Sequence, residues 1–469
     1  MGRILGAYIL PHPPIMIEEI GRRDALKVSD TVKALEKVSA KIAEQSPDTI
    51  VIITPHGPLF RDAMAFSMEE RLIGSLRDFG APNRSYDFQN DVELAEKIME
   101  ESDREGVFCV PFTKDMAKTY RVSHTLDHGA LVPLHFISKT NKDFKLVHIT
   151  YSGLSIEAHY KLGMAITNAI EALDRNAVII ASGDLSHRLK LGAPAGYNER
   201  GQEFDDLYMD IVRNGDVLSI LSMEDELIFC AGECAYKSTV VLMGCFHKCS
   251  IKGEVFSYEG PFGVGYCVAE LKWENCGKGK DFLEEYIGNK NEHIDIIRKK
   301  EDPYVKLART TLENKVKYNA KTEIPEGLPV EMIEKRAGVF VSLKKDGELR
   351  GCIGTIGSTS KSIAHEIIQN AISAGLKDPR FFPVEQDELD DLIYSVDVLG
   401  EAESVESLDE LDPKRYGVIV KKGMRTGLLL PNLEGVDTVE EQISIALKKA
   451  GIRENEDYQI ERFEVIRHN

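Results

Sequence analysis

The chain alternates between short, β-branched apolar runs and longer stretches whose apolar residues recur at helical spacing. Ile4-Leu5-Gly6-Ala7-Tyr8-Ile9-Leu10 reads as a strand, and Thr49-Ile50-Val51-Ile52-Ile53 is a continuous apolar run, as expected of a strand covered on both faces. Between them, residues 25–43 carry Leu26, Val32, Leu35, Val38 and Ile42 at close to helical spacing, which predicts a helix. Residues 145–150 and 177–181 repeat the strand signal, residues 157–173 read as a helix, and residues 254–258 and 265–273 read as closing strands. Such alternation predicts an α/β domain with a central mixed sheet flanked by helices.

The pattern changes after Trp273. Residues 274–302 are polar and lysine-rich, with Gly277, Gly279 and Gly288, and are expected to join two domains spanning residues 1–273 and 303–469. Phe282, Tyr286, Ile294, Ile296 and Ile297 give the linker some apolar positions that can dock. Beyond it, residues 305–317 read as a helix. Residues 338–343 and 348–354 read as strands joined at Asp346-Gly347. Residues 362–374 and 439–450 read as helices, and residues 392–399 as a strand. Strands paired by hairpin with helices between them predict an α+β domain.

Composition narrows the function. The 469 residues carry 58 Lys+Arg against 77 Asp+Glu, a net charge of −19, without a long basic cluster, so nucleic acid and anionic membranes are disfavoured as partners. No apolar run reaches the roughly 18 residues needed to cross a bilayer, and the N-terminus lacks the features of a secretory signal. Eight cysteines are too few for a disulfide scaffold, and reduced thiols in a cytoplasmic protein are expected.

Candidate chemistry is positional. Pro11-His12-Pro13-Pro14, Thr54-Pro55-His56-Gly57-Pro58 and Ser182-Gly183-Asp184-Leu185-Ser186-His187 each follow a predicted strand. Ligand sites of open α/β sheets lie beyond the carboxyl ends of strands, so three histidines delivered there can converge. One such histidine alone is more simply a hydrogen-bonded loop residue. His124, Asp127 and His128 form a fourth candidate segment, read otherwise as a plain helix start. Glu233, beside Cys234, lies just before an apolar helix-like run, where a carboxylate is costly unless paired or bound to metal; a first-turn helix acid is the plainer reading. Two imidazoles and one carboxylate form the ligand set of non-haem Fe(II) oxygenases. His12, His56 and Glu233 as ligands, with His128 and His187 handling protons, supply it; a Zn hydrolase fits the same residues. Asp184 can orient His187. In the second domain Cys352, flanked by Gly351 and Gly354 and two residues from Arg350, reads as a buried thiol beneath a glycine-rich strand or as a nucleophile.

These motifs, in this order over residues 1 to about 270, resemble the class III extradiol ring-cleavage dioxygenase family, which includes the protocatechuate dioxygenase β-subunit and the MEMO proteins. The resemblance implies Fe(II) on His12, His56 and Glu233, acid–base or substrate-contacting roles for His128 and His187, and a catechol-like aromatic or diol substrate with dioxygen. In MEMO-type members a cysteine replaces the carboxylate, which makes Cys234 the alternative ligand. Residues from about 303 onward, through Leu349-Arg350-Gly351-Cys352-Ile353-Gly354 and Asp378-Pro379-Arg380-Phe381-Phe382-Pro383-Val384, resemble the AMMECR domain family. The joint architecture is similar to that of AmmeMemoRadiSam system proteins, which implies a MEMO-like and a radical-SAM protein as partners. Homodimer formation is also compatible with the family. A metal-containing binding or scaffold module without ring cleavage is the alternative from another class.

Overall fold

A computed structural model describes residues 2–433 and 435–469. The chain divides into two compact units that meet between Ile287 and Gly288. Strands of the first unit are β1 (Arg3–Leu10), β2 (Thr49–Thr54), β3 (Met64–Ser67), β4 (Arg71–Ser75), β5 (Ser85–Gln89), β6 (Cys109–Phe112), β7 (Lys145–Thr150), β8 (Asn176–Ser182), β9 (Ser250–Glu259) and β10 (Tyr266–Glu274).

Eight of them form one mixed sheet in the order β6-β3-β7-β2-β8-β1-β10-β9. The centre, β7-β2-β8-β1, is parallel, and its residues are the apolar runs that the sequence marks as strands. Both faces are covered, as such runs require. One core packs Val51, Ile53 and Ile179 against helix Ile156–Ala172 and helix Tyr236–Gly244. The other packs Ile50, Ile52 and Ile180 against helices Ser29–Gln45 and His128–Ile137. The two helices of the first layer approach through glycine. A Cβ on Gly163 would lie 2.1 Å from the Val241 carbonyl oxygen, and one on Gly244 would lie 2.1 Å from that of Tyr160. A separate two-stranded hairpin, β4–β5, lies outside the large sheet.

Helix Phe282–Lys300 occupies most of the linker. Leu283 packs into the first unit's core, and in the second unit Lys290 pairs with Asp346 and Asp391. One expectation is corrected: the thiols are not all reduced, since Cys249 and Cys276 form a disulfide just beyond the Ser250–Glu274 end of the β9–β10 ladder, and the other six cysteines are free.

The second unit adds β11 (Val339–Lys345), β12 (Glu348–Gly354), β13 (Leu392–Leu399), β14 (Glu403–Ser404), β15 (Gly417–Lys422), β16 (Arg425–Leu429), β17 (Gln459–Phe463) and β18 (Val465–His468). They form two antiparallel four-stranded sheets, β12-β11-β13-β18 and β14-β17-β15-β16. The first is covered by helices Pro303–Tyr318 and Ile363–Leu376 and the second by helix Val439–Ala450. Among the described residues no helix is long and apolar enough to cross a membrane.

The glycine contact gives a first prediction. Gly163→Ala should destabilise by roughly 1–3 kcal/mol, because the backbone at Val241 cannot move without unseating its helix. Gly288→Ala, on an exposed helical turn facing open space, should stabilise by about 0.5–1 kcal/mol. Paired denaturant melts read both signs.

Candidate metal centre

Strands β1, β8 and β2 are neighbours in register, with Ile9 and Ile53 both opposite Ala181. His12 and His56 each stand three residues beyond these level positions. The third member comes from a helix: Asp127 caps helix His128–Ile137, accepting from the Ala130 N–H, and sets His128 as its first residue. The ligand-type nitrogens of His12, His56 and His128 all lie within 4.8 Å of one another. His12 is buried and His56 exposed.

Hydrogen bonds fix how His12 is presented. The Ser182 hydroxyl donates to the Gly129 carbonyl at 2.5 Å, so its oxygen accepts from His12 Nδ1 at 2.9 Å. Nδ1 therefore carries the proton, and Nε2 turns its lone pair toward His56 Nε2, 3.0 Å away. Two ligands at about 2.1 Å from one ion and at right angles stand about 3 Å apart, so this is the spacing of a ligand pair. Burial pushes all four site histidines toward the neutral form. For His12 that effect comes first and His56 adds to it; His56 and His187 each fall to about 4, and His128 is also lowered. Neutral imidazoles with open lone pairs are what a transition metal needs, and on that ground the residues fit one.

Below the cluster lies Asp127. Burial disfavours its charge, but the hydrogen bond from His148 (2.9 Å) and that from the Thr54 hydroxyl (2.7 Å) more than offset this and hold it ionised. Ser67 meets the far side of His148 at 2.8 Å. Thr54 and Ser182 open two of the sequence motifs without a role assigned to them there, and His148 and Ser67 lie in no motif. Their place as polar residues inside or ending apolar runs is what marks them.

The expected ligand set is not assembled as anticipated. Gly232, at φ 60°, ends helix Asp225–Ala231 and turns the chain, so that Glu233 and Cys234 part company. The Glu233 carboxylate accepts from the Tyr236 N–H at 2.6 Å, the plainer helix-start role, and burial raises it to about 7. Cys234 is the residue that faces the histidines. Its Sγ lies 3.6 Å from His12 Nε2 and 3.8 Å from His187 Nε2, and accepts from the Asp184 N–H at 3.2 Å. His128 is inside the group rather than beside it. Asp184 serves His12 instead of His187, accepting from the His12 N–H at 2.9 Å, and burial raises it to about 7. His124 is exposed and is not part of the group.

The second unit's signature is absorbed by packing. A Cβ on Gly351 would meet the Ala374 carbonyl oxygen at 2.3 Å, and one on Gly354 would meet the Phe340 ring at 2.1 Å. Arg350 grips Glu388 with two nitrogens and donates to the Phe382 carbonyl. On edge strand β12, the Cys352 N–H donates to Asp378 and its carbonyl accepts from Arg380, so this residue pair covers part of an edge otherwise open to pairing. Burial raises the Cys352 thiol, which accepts from the Ser342 hydroxyl at 3.2 Å. The buried-thiol reading fits this better than the nucleophile.

Comparison with known proteins agrees with this division. The family described as the catalytic LigB subunit of aromatic ring-opening dioxygenase matches residues 6–269, and AMMECR1 matches residues 305–468. The chain belongs to the LigB family, with a C-terminal AMMECR1 domain. Protein CA_C1420 of Clostridium acetobutylicum is 48% identical over 464 residues, covering 99% of this chain and 98% of that protein. A Thermotoga maritima protein is 55% identical over 170 residues, which are 36% of this chain and 98% of its own length. Among solved structures, the uncharacterized protein PH0010 from Pyrococcus horikoshii shares 34% identity over 35% of this chain and 88% of its own, at a TM-score of 0.33.

Two titrations follow. In the metal-free LigB-family domain, imidazole NMR should show His56 and His187 protonating near pH 4 rather than at 6.5. Because the folded value is depressed, these groups stabilise the fold above 6.5, and that contribution should fall as pH drops from 6.5 through 4. Separately, Cys352 should alkylate more slowly at pH 7.5 than a thiol in the unfolded chain, since its thiolate is disfavoured.

Proposed function

We propose that the LigB-family domain is a metal-dependent, oxygen-using centre acting on a catechol-like aromatic substrate, with His12, His56 and Cys234 as ligands. The observation that carries this is His12. Its proton is committed to Ser182, and its free nitrogen faces both His56 Nε2 and Cys234 Sγ. His128 is the less suitable third ligand. Its ring stacks on that of His56 at 4.3 Å and 19°, which aims the two rings poorly at one ion. Bound Fe(II) would supply open coordination positions and redox chemistry at this point. The chain's own residues do the rest. Asp184 steadies the sulfur through its N–H, and burial holds the Cys234 thiol protonated; as a ligand it would bind as the thiolate. His128 and His187, neutral at physiological pH, stand ready to take a proton from a substrate hydroxyl. The thiol also favours a softer ion than a carboxylate would, which supports a second reading with Zn and hydrolysis. Action alongside a MEMO-like and a radical-SAM protein, in the cytoplasm, is part of the same proposal.

Metal analysis of protein purified without air, together with oxygen uptake on a catechol panel, tests this. His12→Ala and Cys234→Ala should lose the metal, while Glu233→Gln keeps it. His187→Ala should keep metal and lose about 10²–10⁴-fold in turnover. Loss of metal from Glu233→Gln with retention in Cys234→Ala would restore the carboxylate ligand, and zinc alone with no oxygen uptake would favour hydrolysis.

A further inference from the structure

Resting on that reading, a further residue lies against the ring of His128. Phe79 ends the 3-10 turn Arg77–Phe79 at the tip of the β4–β5 hairpin, and Gly80 closes that turn at φ 91°. Its ring lies 5.1 Å from the ring of His128, tilted by 49°, and it is 40% exposed. It belongs to none of the apolar cores among the described residues. Packing therefore gives no reason for a phenyl group at this position.

The turn that carries it is firmly held. Leu72 and Leu76 are buried in the core beside helix His128–Ile137. Gly74 lies so close to that helix that a Cβ would sit 2.9 Å from the Leu131 methyls, and Leu126 N–H donates to the Ile73 carbonyl at 2.9 Å. Tyr86 meets His135 of the same helix at 2.7 Å. Arg84 forms a two-pronged ion pair with Glu19, in the segment that follows His12. The hairpin is thus tied both to the helix that begins with His128 and to the chain leaving His12.

We infer that Phe79 is a specificity-determining residue: its exposed face is the wall on which the planar ring of an aromatic substrate stacks, above the histidine cluster. Offset or tilted ring pairs of this kind favour aromatic over aliphatic partners by roughly 2- to 13-fold beyond the area they bury.

The test uses two chelators with the same head, acetohydroxamate and benzohydroxamate, on the full-length, anaerobically Fe(II)-loaded protein. Wild type should bind the ring-bearing chelator more tightly. Phe79→Ala should remove most of that preference, about a 2- to 13-fold loss for benzohydroxamate, while leaving acetohydroxamate affinity and metal content unchanged. Phe79→Trp should keep it. An unchanged preference in Phe79→Ala, or equal weakening of both chelators, overturns the inference. Ring opening is judged separately. Full benzohydroxamate preference through Phe79, with no oxygen uptake on any catechol, would support the aromatic wall while removing the dioxygenase reading.

Discussion

The arrangement depends on one buried carboxylate. Asp127 lies in surroundings that penalise its charge, and its position is tolerable only because donors come to it from separate elements. Thr54 arrives from the end of β2, two residues before His56. His148 arrives from β7, and the Ala130 N–H belongs to the helix that opens with His128. Satisfying this charge brings two of the three clustered histidines into place. The third, His12, is held from the other side, through Ser182 at the end of β8 and the backbone of Gly129. Scaffold and site are therefore one hydrogen-bonded network across β1, β2, β7 and β8.

The second unit uses similar means to another end. Its Arg350, Asp378 and Arg380 are committed to backbone and to Glu388, and they hold a loop against the edge of β12. A glycine-rich signature in such a setting records close packing of strand on helix and strand on ring. The clustered histidines lie in the LigB-family unit, while in the AMMECR1 unit Arg380 and Asp378 cover part of the β12 edge.

The sequence was legible where one physical effect dominates. The buried strands β1, β2, β7 and β8 are continuous apolar runs, and the helices 156–172 and 439–450 follow helical period closely. Short elements such as β3, β6 and the β4–β5 hairpin carry four or five residues per strand, too few for a period to declare itself. His12, His56 and His187 were readable because they follow strand ends. The choice between Glu233 and Cys234 was not, because neighbouring residues satisfy the same spacing and the left-handed turn at Gly232 decides which one faces inward. His148 was hidden for a different reason, and so was the role of Ser182: a polar residue within a strand reads as an exception until its partner is seen. The Cys249–Cys276 bridge likewise depends on the pairing of β9 with β10, which brings together residues 27 apart in sequence.

The Ser182–His12 hydrogen bond also bears on timing. Because Ser182 and the Gly129 carbonyl fix its tautomer, the His12 imidazole is oriented by protein groups rather than by a bound ion. Under the proposed function, folding would not need to wait for the metal. Divalent ions follow a general order of affinity for nitrogen and sulfur donors, so under the proposed function the occupant of such a preset site would be chosen by ligand type, geometry and cellular supply together.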